Sequence, residues 1–211
     1  MSNISPVSGP NYHLEEQIGG YVCGVDEVGR GPWAGPVTTA AVILNPANIP
    51  DGLNDSKKLS AKKREKLYPL IMESAQVGFG EASPQEIDDL NILQATHLAM
   101  QRAVANLPRR PDHALIDGNR LPELDCPASF VIKGDNISLS IAAASIIAKV
   151  RRDFFMAEIA KIYPEYGWES NAGYGTRQHI EALSLVGPSR FHRMSFAPIQ
   201  KILLDGKSIR D

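Results

Sequence analysis

The sequence predicts one α/β domain of three layers, in which helices flank a mixed five-stranded sheet and an antiparallel meander is extended by parallel strands. The order of the elements is the main reason, because three strand-like segments precede a helical region and two strand–helix units follow it. The composition agrees, since 211 residues with 43% hydrophobic and 22% charged side chains are typical of a single packed domain. A disordered chain, a collagen-like repeat and a disulfide scaffold are thereby excluded.

Five segments have the β-branched and apolar pattern of strands and are closed by turn residues. They are residues 21–25, 36–44, 76–82, 114–116 and 129–133. The fourth strand runs directly into Asp117, and the fifth is followed at once by Gly134 and Asp135. Polar residues with metal-binding chemistry therefore stand at strand ends, where open α/β sheets usually place their sites.

The helices are predicted from caps and from periodicity. Residues 60–74 read as a helix that Pro69 makes irregular. Ser83 and Glu86 have the spacing of a capping box, and a longer helix follows. Its inward positions are Ile92, Leu93, Thr96, Ala99, Met100, Ala103, Val104 and Leu107. Residues 137–162 form the longest helical pattern, with small residues that allow close approach to a sheet, and Thr176 caps a further helix that ends at Gly187.

The N-terminal residues and the apolar runs indicate where the protein is found. Residues 1–18 are polar, so we expect a loose segment ahead of a domain of residues 19–211. They lack a basic-then-apolar leader pattern, and the apolar run at 141–148 is too short to cross a bilayer. The two cysteines, Cys23 and Cys126, fit a reducing compartment. The expectation is a soluble cytoplasmic protein with no membrane partner.

One stretch is strongly basic although the chain as a whole is not. The protein has 22 Lys and Arg against 24 Asp and Glu, which excludes a uniformly basic surface for nucleic acid. Residues 57–66, however, contain six basic side chains and one acidic one. This stretch is either the solvated face of a helix or a surface that meets phosphate groups.

Four acidic residues are candidates for a shared metal site. Asp26 and Glu27 follow the first strand, Asp117 ends the fourth, and Asp135 precedes the long helix. Carboxylates gathered at one sheet edge repel one another, and divalent cations relieve that repulsion. Oxygen ligands without paired Cys or His favour Mg²⁺ or Mn²⁺ over Zn²⁺. The alternative is ordinary local chemistry, with Asp117 in a turn and Asp135 as a helix cap.

Glu27 raises a geometric objection to a four-residue site. Neighbouring residues of a regular strand point to opposite faces of the sheet, so Asp26 and Glu27 cannot both face one ion. Gly29, Gly31 and Pro32 come directly afterwards. They make an irregular backbone at this point plausible, which would remove the objection.

Several longer motifs occur in a characteristic order. The sequence GVDEVGRGPWAGPV at 24–37 resembles the signature of ribonuclease HII, the type 2 ribonuclease H family. The resemblance continues through LNDSKKLS, IDDLNILQATHLAM, LIDGN, IKGDNISLSIAAASIIAKVRRD, YPEYGW, GYGT and HRMSFAP, and so covers nearly the whole chain. It implies a ribonuclease H-like fold with a small C-terminal helical part, and a single catalytic domain over residues 19–211.

The resemblance also implies an activity. It is metal-dependent hydrolysis of RNA paired with DNA, including the nicking of duplex DNA on the 5′ side of an embedded ribonucleotide, which leaves a 3′-hydroxyl and a 5′-phosphate. Such an enzyme would serve the removal of ribonucleotides from DNA, with two Mg²⁺ or Mn²⁺ ions in the substrate complex. RNA–DNA hybrids and ribonucleotide-containing duplexes would be its partners.

Matching the motifs residue by residue assigns the site. The catalytic acids and metal ligands are Asp26, Glu27, Asp117 and Asp135, the same four that their positions had selected. The implied substrate contacts are Gly29, Arg30, Gly31, Tyr174, Lys57, Lys58 and Lys149. Each has a simpler alternative: a tight turn for the glycines, loop packing for Tyr174 and solvation for the lysines. Arg151 and Arg152 are either phosphate contacts or helix-surface charges.

Three further residues match family positions, and one position departs from the family pattern. His179, His192 and Arg193 are interpreted as mainly structural, with a phosphate role for Arg193 as the alternative. Ala172 stands before Gly173 where the family usually has a basic residue, so one phosphate contact is missing or position 172 varies freely.

The C-terminal residues and three rival functions complete the expectations. Residues 200–204 faintly resemble a sliding-clamp peptide, although an amphipathic terminal helix explains them better, and we expect a monomer. The rivals are ribonuclease HIII, a non-catalytic nucleic-acid-binding module and a metal-dependent phosphatase. Arg30 and the short N-terminal segment disfavour ribonuclease HIII. The four retained acids disfavour a non-catalytic module, and the basic stretch at 57–66 disfavours a phosphatase.

Overall fold

The computed structural model describes residues 9–210 and has the predicted three-layer architecture. The strands are β1 (Val22–Val28), β2 (Val37–Ile43), β3 (Gln76–Ala82), β4 (His113–Asp117) and β5 (Ala128–Val131). The helices are α1 (His13–Ile18), α2 (Ala61–Ser74), α3 (Pro84–Leu90), α4 (Ile92–Ala105), α5 (Leu139–Ile162), α6 (Trp168–Asn171), α7 (Arg177–Val186) and α8 (Ala197–Leu204).

The sheet has the strand order β3-β2-β1-β4-β5. Pairing is antiparallel from β3 through β2 to β1, and parallel from β1 through β4 to β5. The prediction of an antiparallel meander extended by parallel strands is therefore confirmed. Because β1 and β4 are parallel neighbours, their C-terminal ends reach the same edge of the sheet.

Alternation along the strands divides the core between the two faces. In β2, Ala40 and Val42 pack with α2 and α5, whereas Ala41 and Ile43 pack with α4. Gly24 of β1 faces α5, where a Cβ atom would lie 2.1 Å from the Ser140 carbonyl carbon. The long helix therefore lies almost against the strand, as its small residues predicted.

The expectation of a loose segment over residues 1–18 is wrong for residues 13–18, which form α1. Its Glu15 is buried, and one carboxylate oxygen accepts hydrogen bonds from the Ser138 hydroxyl at 2.6 Å and the Ser140 amide at 2.9 Å. This carboxylate satisfies an otherwise unpaired amide at the start of α5, which accounts for the docking of α1. Asn11 is also held, since its backbone bonds to Ile137 and Leu139, and residues 1–8 lie outside the described range.

Local predictions differ from the structure at element boundaries. Strand β1 continues three residues past its predicted end, and α2 includes Pro69 without a break. The capping box of Ser83 and Glu86 is present at the start of α3. Helix α4 begins anew because Asn91 adopts φ 71° and its side chain accepts hydrogen bonds from the amides of Leu93 and Gln94.

The C-terminal part consists of α6, α7 and α8 around their own apolar cluster. Thr176 caps α7 and Gly187 ends it, as predicted. Residues 200–204 belong to α8, in which Ile202 and Leu203 pack on this cluster and Leu204 is exposed, so the amphipathic helix is the correct interpretation. Within residues 9–210, no helix combines the length and the apolar character that crossing a membrane requires.

Candidate metal centre and substrate surface

Three aspartates converge at the C-terminal edge of the parallel strands. Val25 of β1 pairs with Ile116 of β4, so Asp26 and Asp117 follow side by side on the face toward α5. Asp135 lies on a single 3₁₀ turn, Gly134–Asn136, between β5 and α5. One carboxylate oxygen of each aspartate lies within 4.8 Å of the other two. The sequence placed these three residues at strand ends, and the fold brings them together.

The electrostatics of this cluster favour a bound cation. Burial, and then the charges of Glu27 and Asp117, raise the pKa of Asp26 well above its usual value. Burial, and then Asp117 and Asp55, likewise raise the pKa of Asp135. Deprotonating these carboxylates together is therefore unfavourable without a positive charge between them.

Glu27 is close to this cluster but lies on the opposite face of the sheet. Strand β1 stays regular through Val28, so the irregular backbone that could have turned Glu27 toward Asp26 is not found. Its Oε1 accepts a hydrogen bond from Arg30 at 3.3 Å, and burial raises its pKa. Its Oε2 is buried without a hydrogen-bond partner among the residues that the structure describes.

The residues present fit divalent cations. Three converging carboxylates provide oxygen ligands only, which suits Mg²⁺ or Mn²⁺. The unpaired Oε2 of Glu27 adds a buried acceptor that lacks a donor within the described chain. A buried carboxylate oxygen without a partner is costly, and a cation would satisfy it.

A polar layer around the aspartates was missed by the sequence reasoning. Ser145 of α5 lowers the pKa of Asp26 by hydrogen bonding, and its hydroxyl lies 2.8 Å from that of Ser56. Asn136 donates from Nδ2 to Oδ1 of Asp135 at 2.7 Å. Asp55, also buried, is close enough to influence Asp135. Asp55 and Ser56 lie in the motif LNDSKKLS, and Asn136 and Ser145 lie in the motif at 132–153, so the signal is their position within these two motifs.

The predicted lysines lie at different distances from this polar layer. Lys58 donates from Nζ to Asn136 Oδ1, so it borders the metal centre. Lys57 is exposed, and Lys149 forms an ion pair of 2.6 Å with Asp153. Lys149 and Ala172 line the same groove, between α2, α5 and α6.

The loop Gly29–Gly31 follows β1 directly and is held by hydrogen bonds from a buried arginine. Gly29 has φ 91°, a conformation that favours glycine. Arg193 is fully buried and donates to the carbonyl of Arg30 at 2.9 Å, as well as to those of Gly29, Gly35 and Pro36. Its burial agrees with the structural interpretation rather than with contact to a phosphate.

Tyr174 adjoins this loop from another part of the chain. A Cβ atom on Gly31 would lie 3.5 Å from Cε1 of Tyr174, and the tyrosine side chain is 53% exposed. The amide of Trp33 donates to the Gly173 carbonyl at 2.8 Å, which ties the two loops together. An exposed aromatic ring thus stands beside the glycine-rich backbone.

Arg152 contradicts its interpretation as a surface charge. It is buried and donates to the carbonyls of Pro36 at 2.8 Å, Ala34 at 3.0 Å and Ala172 at 3.2 Å. It therefore joins the segment after the Gly29–Gly31 loop to the segment before Tyr174. Arg151 pairs with Glu81 at 3.1 Å on the surface.

His179 and His192 form a buried pair, in agreement with a structural role. Their Nε2 atoms lie 2.9 Å apart, and both side chains are shielded from solvent. Burial lowers the pKa of both rings, that of His192 to about 3, so both are neutral at physiological pH.

A mixed sheet of this order, with a cluster of three aspartates at the edge where β1 and β4 end, is the architecture of the metal-dependent nucleases of the ribonuclease H class. A sequence model of the family described as ribonuclease HII matches residues 23–199. A protein named ribonuclease HII from Jannaschia sp. is 59% identical over 92% of this chain and 98% of its own length. This chain belongs to the ribonuclease HII family and is an endoribonuclease that cleaves the RNA strand of RNA–DNA hybrids with a divalent metal.

Solved structures agree with this assignment. The ribonuclease H2 of Pyrococcus horikoshii OT3 superposes with a TM-score of 0.71 at 26% identity, covering 87% of this chain and 97% of the other. A ribonuclease HII from Archaeoglobus fulgidus, solved in complex with PCNA, gives 0.69 at 25% identity, covering 83% and 95%. The family match decides for ribonuclease HII over ribonuclease HIII.

Proposed function

We propose that this enzyme also nicks duplex DNA at single embedded ribonucleotides, on their 5′ side, and leaves a 3′-hydroxyl and a 5′-phosphate. The supporting observation is the adjacency of two features. The aspartate cluster lies at the edge of the sheet where β1 and β4 end, and the Gly29–Gly31 loop with Tyr174 at its side follows β1 immediately. A sugar read by this loop would be held next to the aspartates, where water would attack the adjoining phosphate.

The aspartates hold the metal in this proposal, and Glu27 completes the set. Two Mg²⁺ or Mn²⁺ ions, when bound, supply an activated water for in-line attack and stabilise the leaving 3′-oxygen. Asp26 and Asp117 provide oxygen ligands from adjacent strands, and Asp135 provides them from its turn. Glu27, which faces the other side of β1, would offer its free Oε2 to a separate cation.

The Gly29–Gly31 loop distinguishes ribose from deoxyribose. Only the 2′-hydroxyl differs between the two sugars, and it both donates and accepts hydrogen bonds. Glycines permit close approach of backbone amides and carbonyls to that hydroxyl. Tyr174 packs its exposed ring on the neighbouring sugar, so that the deoxyribose beside an embedded ribonucleotide is accommodated.

The basic side chains near the metal centre contact the phosphate backbone. Lys58 borders Asp135 through Asn136, Lys149 lines the groove between α2 and α5, and Lys57 is exposed nearby in sequence. Such contacts set the register of a duplex without reading its bases. Because the whole chain has a net charge of −2, attraction of the negatively charged substrate depends on this local concentration of lysines.

Two matched duplexes test the proposal. One is entirely deoxyribose, and the other has a single internal ribonucleotide in the same sequence. With Mg²⁺ or Mn²⁺ we expect one nick, immediately 5′ of the ribonucleotide, and no cutting of the deoxyribose duplex. Mapping at nucleotide resolution and end labelling identify the position and the chemical ends. Equal cleavage of both duplexes, or a cut on the 3′ side, would contradict the proposal.

The proposed enzyme acts as a monomer, because one chain supplies all the residues that the reaction uses. Size-exclusion chromatography with light scattering measures this directly, and a stable dimer would contradict it. A sliding clamp is not required in the proposal. In residues 200–204 of α8, Ile202 and Leu203 pack on the C-terminal apolar cluster, whereas Leu204 is exposed, so the resemblance to a clamp peptide stays weakly supported.

A further inference from the structure

We propose that His192, acting through His179, positions Tyr174 for substrate recognition, so that both histidines are positioning residues of the reaction. The inference rests on the proposed role of Tyr174 in contacting the sugar beside the ribonucleotide. It goes beyond a packing role for the histidines, because their hydrogen bonds form a directed chain that ends on the tyrosine backbone.

The series of hydrogen bonds begins at the backbone amide of Ser189, which can only donate. It lies 2.9 Å from Nδ1 of His192, a shorter contact than the 3.3 Å between that nitrogen and the Ser189 carbonyl. Nδ1 of His192 is therefore the acceptor, and in the neutral ring the proton resides on Nε2.

The second link is the contact of 2.9 Å between the two Nε2 atoms. Since His192 carries its proton there, Nε2 of His179 accepts. An independent donor agrees with this direction, because the indole N–H of Trp168 points to the same Nε2 of His179 at 3.3 Å. The proton of His179 is thus on Nδ1.

The last link reaches Tyr174. Nδ1 of His179 donates to the Tyr174 carbonyl oxygen at 2.9 Å, and the Thr176 amide donates to the same oxygen at 2.8 Å. The Tyr174 amide in turn donates to the Asn171 carbonyl at 2.9 Å. The peptide groups on both sides of the exposed tyrosine are fixed by the protein interior.

The burial of these hydrogen-bonded histidines indicates a role beyond packing. His179 and His192 are 0% and 1% exposed, and they lie among aromatic rings. Buried polar groups are costly unless every partner is present, and a fully satisfied network imposes one geometry. Here the imposed geometry is that of the loop carrying Tyr174, next to Gly31.

Two amide replacements at His179 separate positioning from packing. His179→Asn places an amide near the position of Nδ1 and can still donate to the Tyr174 carbonyl. His179→Gln places its amide near the position of Nε2 and keeps the contacts with His192 and Trp168 instead. Both remove the ring, so loss of packing is common to the two variants and thermal midpoints measure it.

The readout is cleavage at a single ribonucleotide in duplex DNA, with KM and kcat determined separately. We expect His179→Gln to raise KM about tenfold, and His179→Asn to restore most of that loss. In the Tyr174→Ala background the Gln substitution should change KM by less than twofold, because its effect passes through the tyrosine.

The possible outcomes distinguish this inference from the proposed function. If Tyr174→Ala itself leaves KM unchanged, the proposed role of Tyr174 is wrong and the inference falls with it. If Tyr174→Ala raises KM but the His179→Gln effect adds to it in full, or Asn and Gln are equally impaired, Tyr174 contacts substrate and the histidines do not position it.

Discussion

Replacing Asp26 with asparagine should abolish cleavage and stabilise the metal-free protein. Asp26 is buried, and its carboxylate oxygen lies within 4.8 Å of oxygens from Asp117 and Asp135. Two unit charges at that separation repel by about 3.5 kcal/mol at an effective dielectric constant of about 20. Asparagine has the same shape as aspartate but no charge. In the wild type the Glu27 amide donates a hydrogen bond to Asp26 Oδ1 at 2.7 Å, and the asparagine oxygen can accept the same bond.

The stabilisation should depend on pH in a defined direction. Burial raises the folded-state pKa of Asp26 above that of the unfolded chain. The wild-type protein is therefore favoured below the ordinary carboxyl pKa and loses this stability as pH rises toward the raised value. Because asparagine does not titrate, the advantage of the variant should be largest at pH 8 and should shrink as the solution is acidified.

The assay is thermal unfolding in EDTA, with metal titrations in parallel. Allowing for partial protonation and relaxation in the wild type, we expect a net gain of about 2 kcal/mol, or a rise of about 4–8 °C for a chain of this size. Added Mg²⁺ or Mn²⁺ should raise the midpoint of the wild type more than that of the variant. Asp51→Asn, at an exposed turn, is the matched control for the change in net charge. Near-normal cleavage by Asp26→Asn, or no gain in EDTA at pH 8, would refute the reasoning.

Two further predictions concern the substrate surface. Ala172→Lys places an ammonium in the groove that Lys149 lines. It should tighten substrate binding and steepen the slope of log affinity against log salt concentration by about 0.9. Affinity is measured in Ca²⁺, which blocks cleavage. Parallel lines without offset for the two proteins would show that position 172 does not contact the duplex. Arg193→Lys replaces a planar fork with one ammonium, so several carbonyls, including those of Gly29 and Arg30, lose their donor. The thermal midpoint should fall by about 4–8 °C. KM for the single-ribonucleotide duplex should rise more than KM for a long hybrid. An unchanged midpoint and unchanged KM values would show that Arg193 does not support the loop.

The sequence by itself determined the sheet, most of the helices and the three aspartates that the fold gathers at one edge. Alternation, caps and turn residues act between residues a few positions apart, which is why Ser83, Thr176 and Gly187 were identified correctly. Asp117 and Asp135 were found for the same reason, since a carboxylate placed directly after a strand is visible locally. The family motifs then identified the reaction.

The tertiary structure alone decided how the site is supported. Whether Glu27 faces Asp26 depends on the regularity of β1 up to Val28, and that regularity comes from pairing with a neighbouring strand. Whether Arg193 meets a phosphate or the Gly29–Gly31 loop depends on contacts between residues more than 150 positions apart. Side-chain identity does not encode burial at that range, because burial is a property of the elements that pack over a residue. The hydrogen bonds from His192 to Tyr174 are of the same kind, since their direction is fixed by donors that only the folded chain assembles.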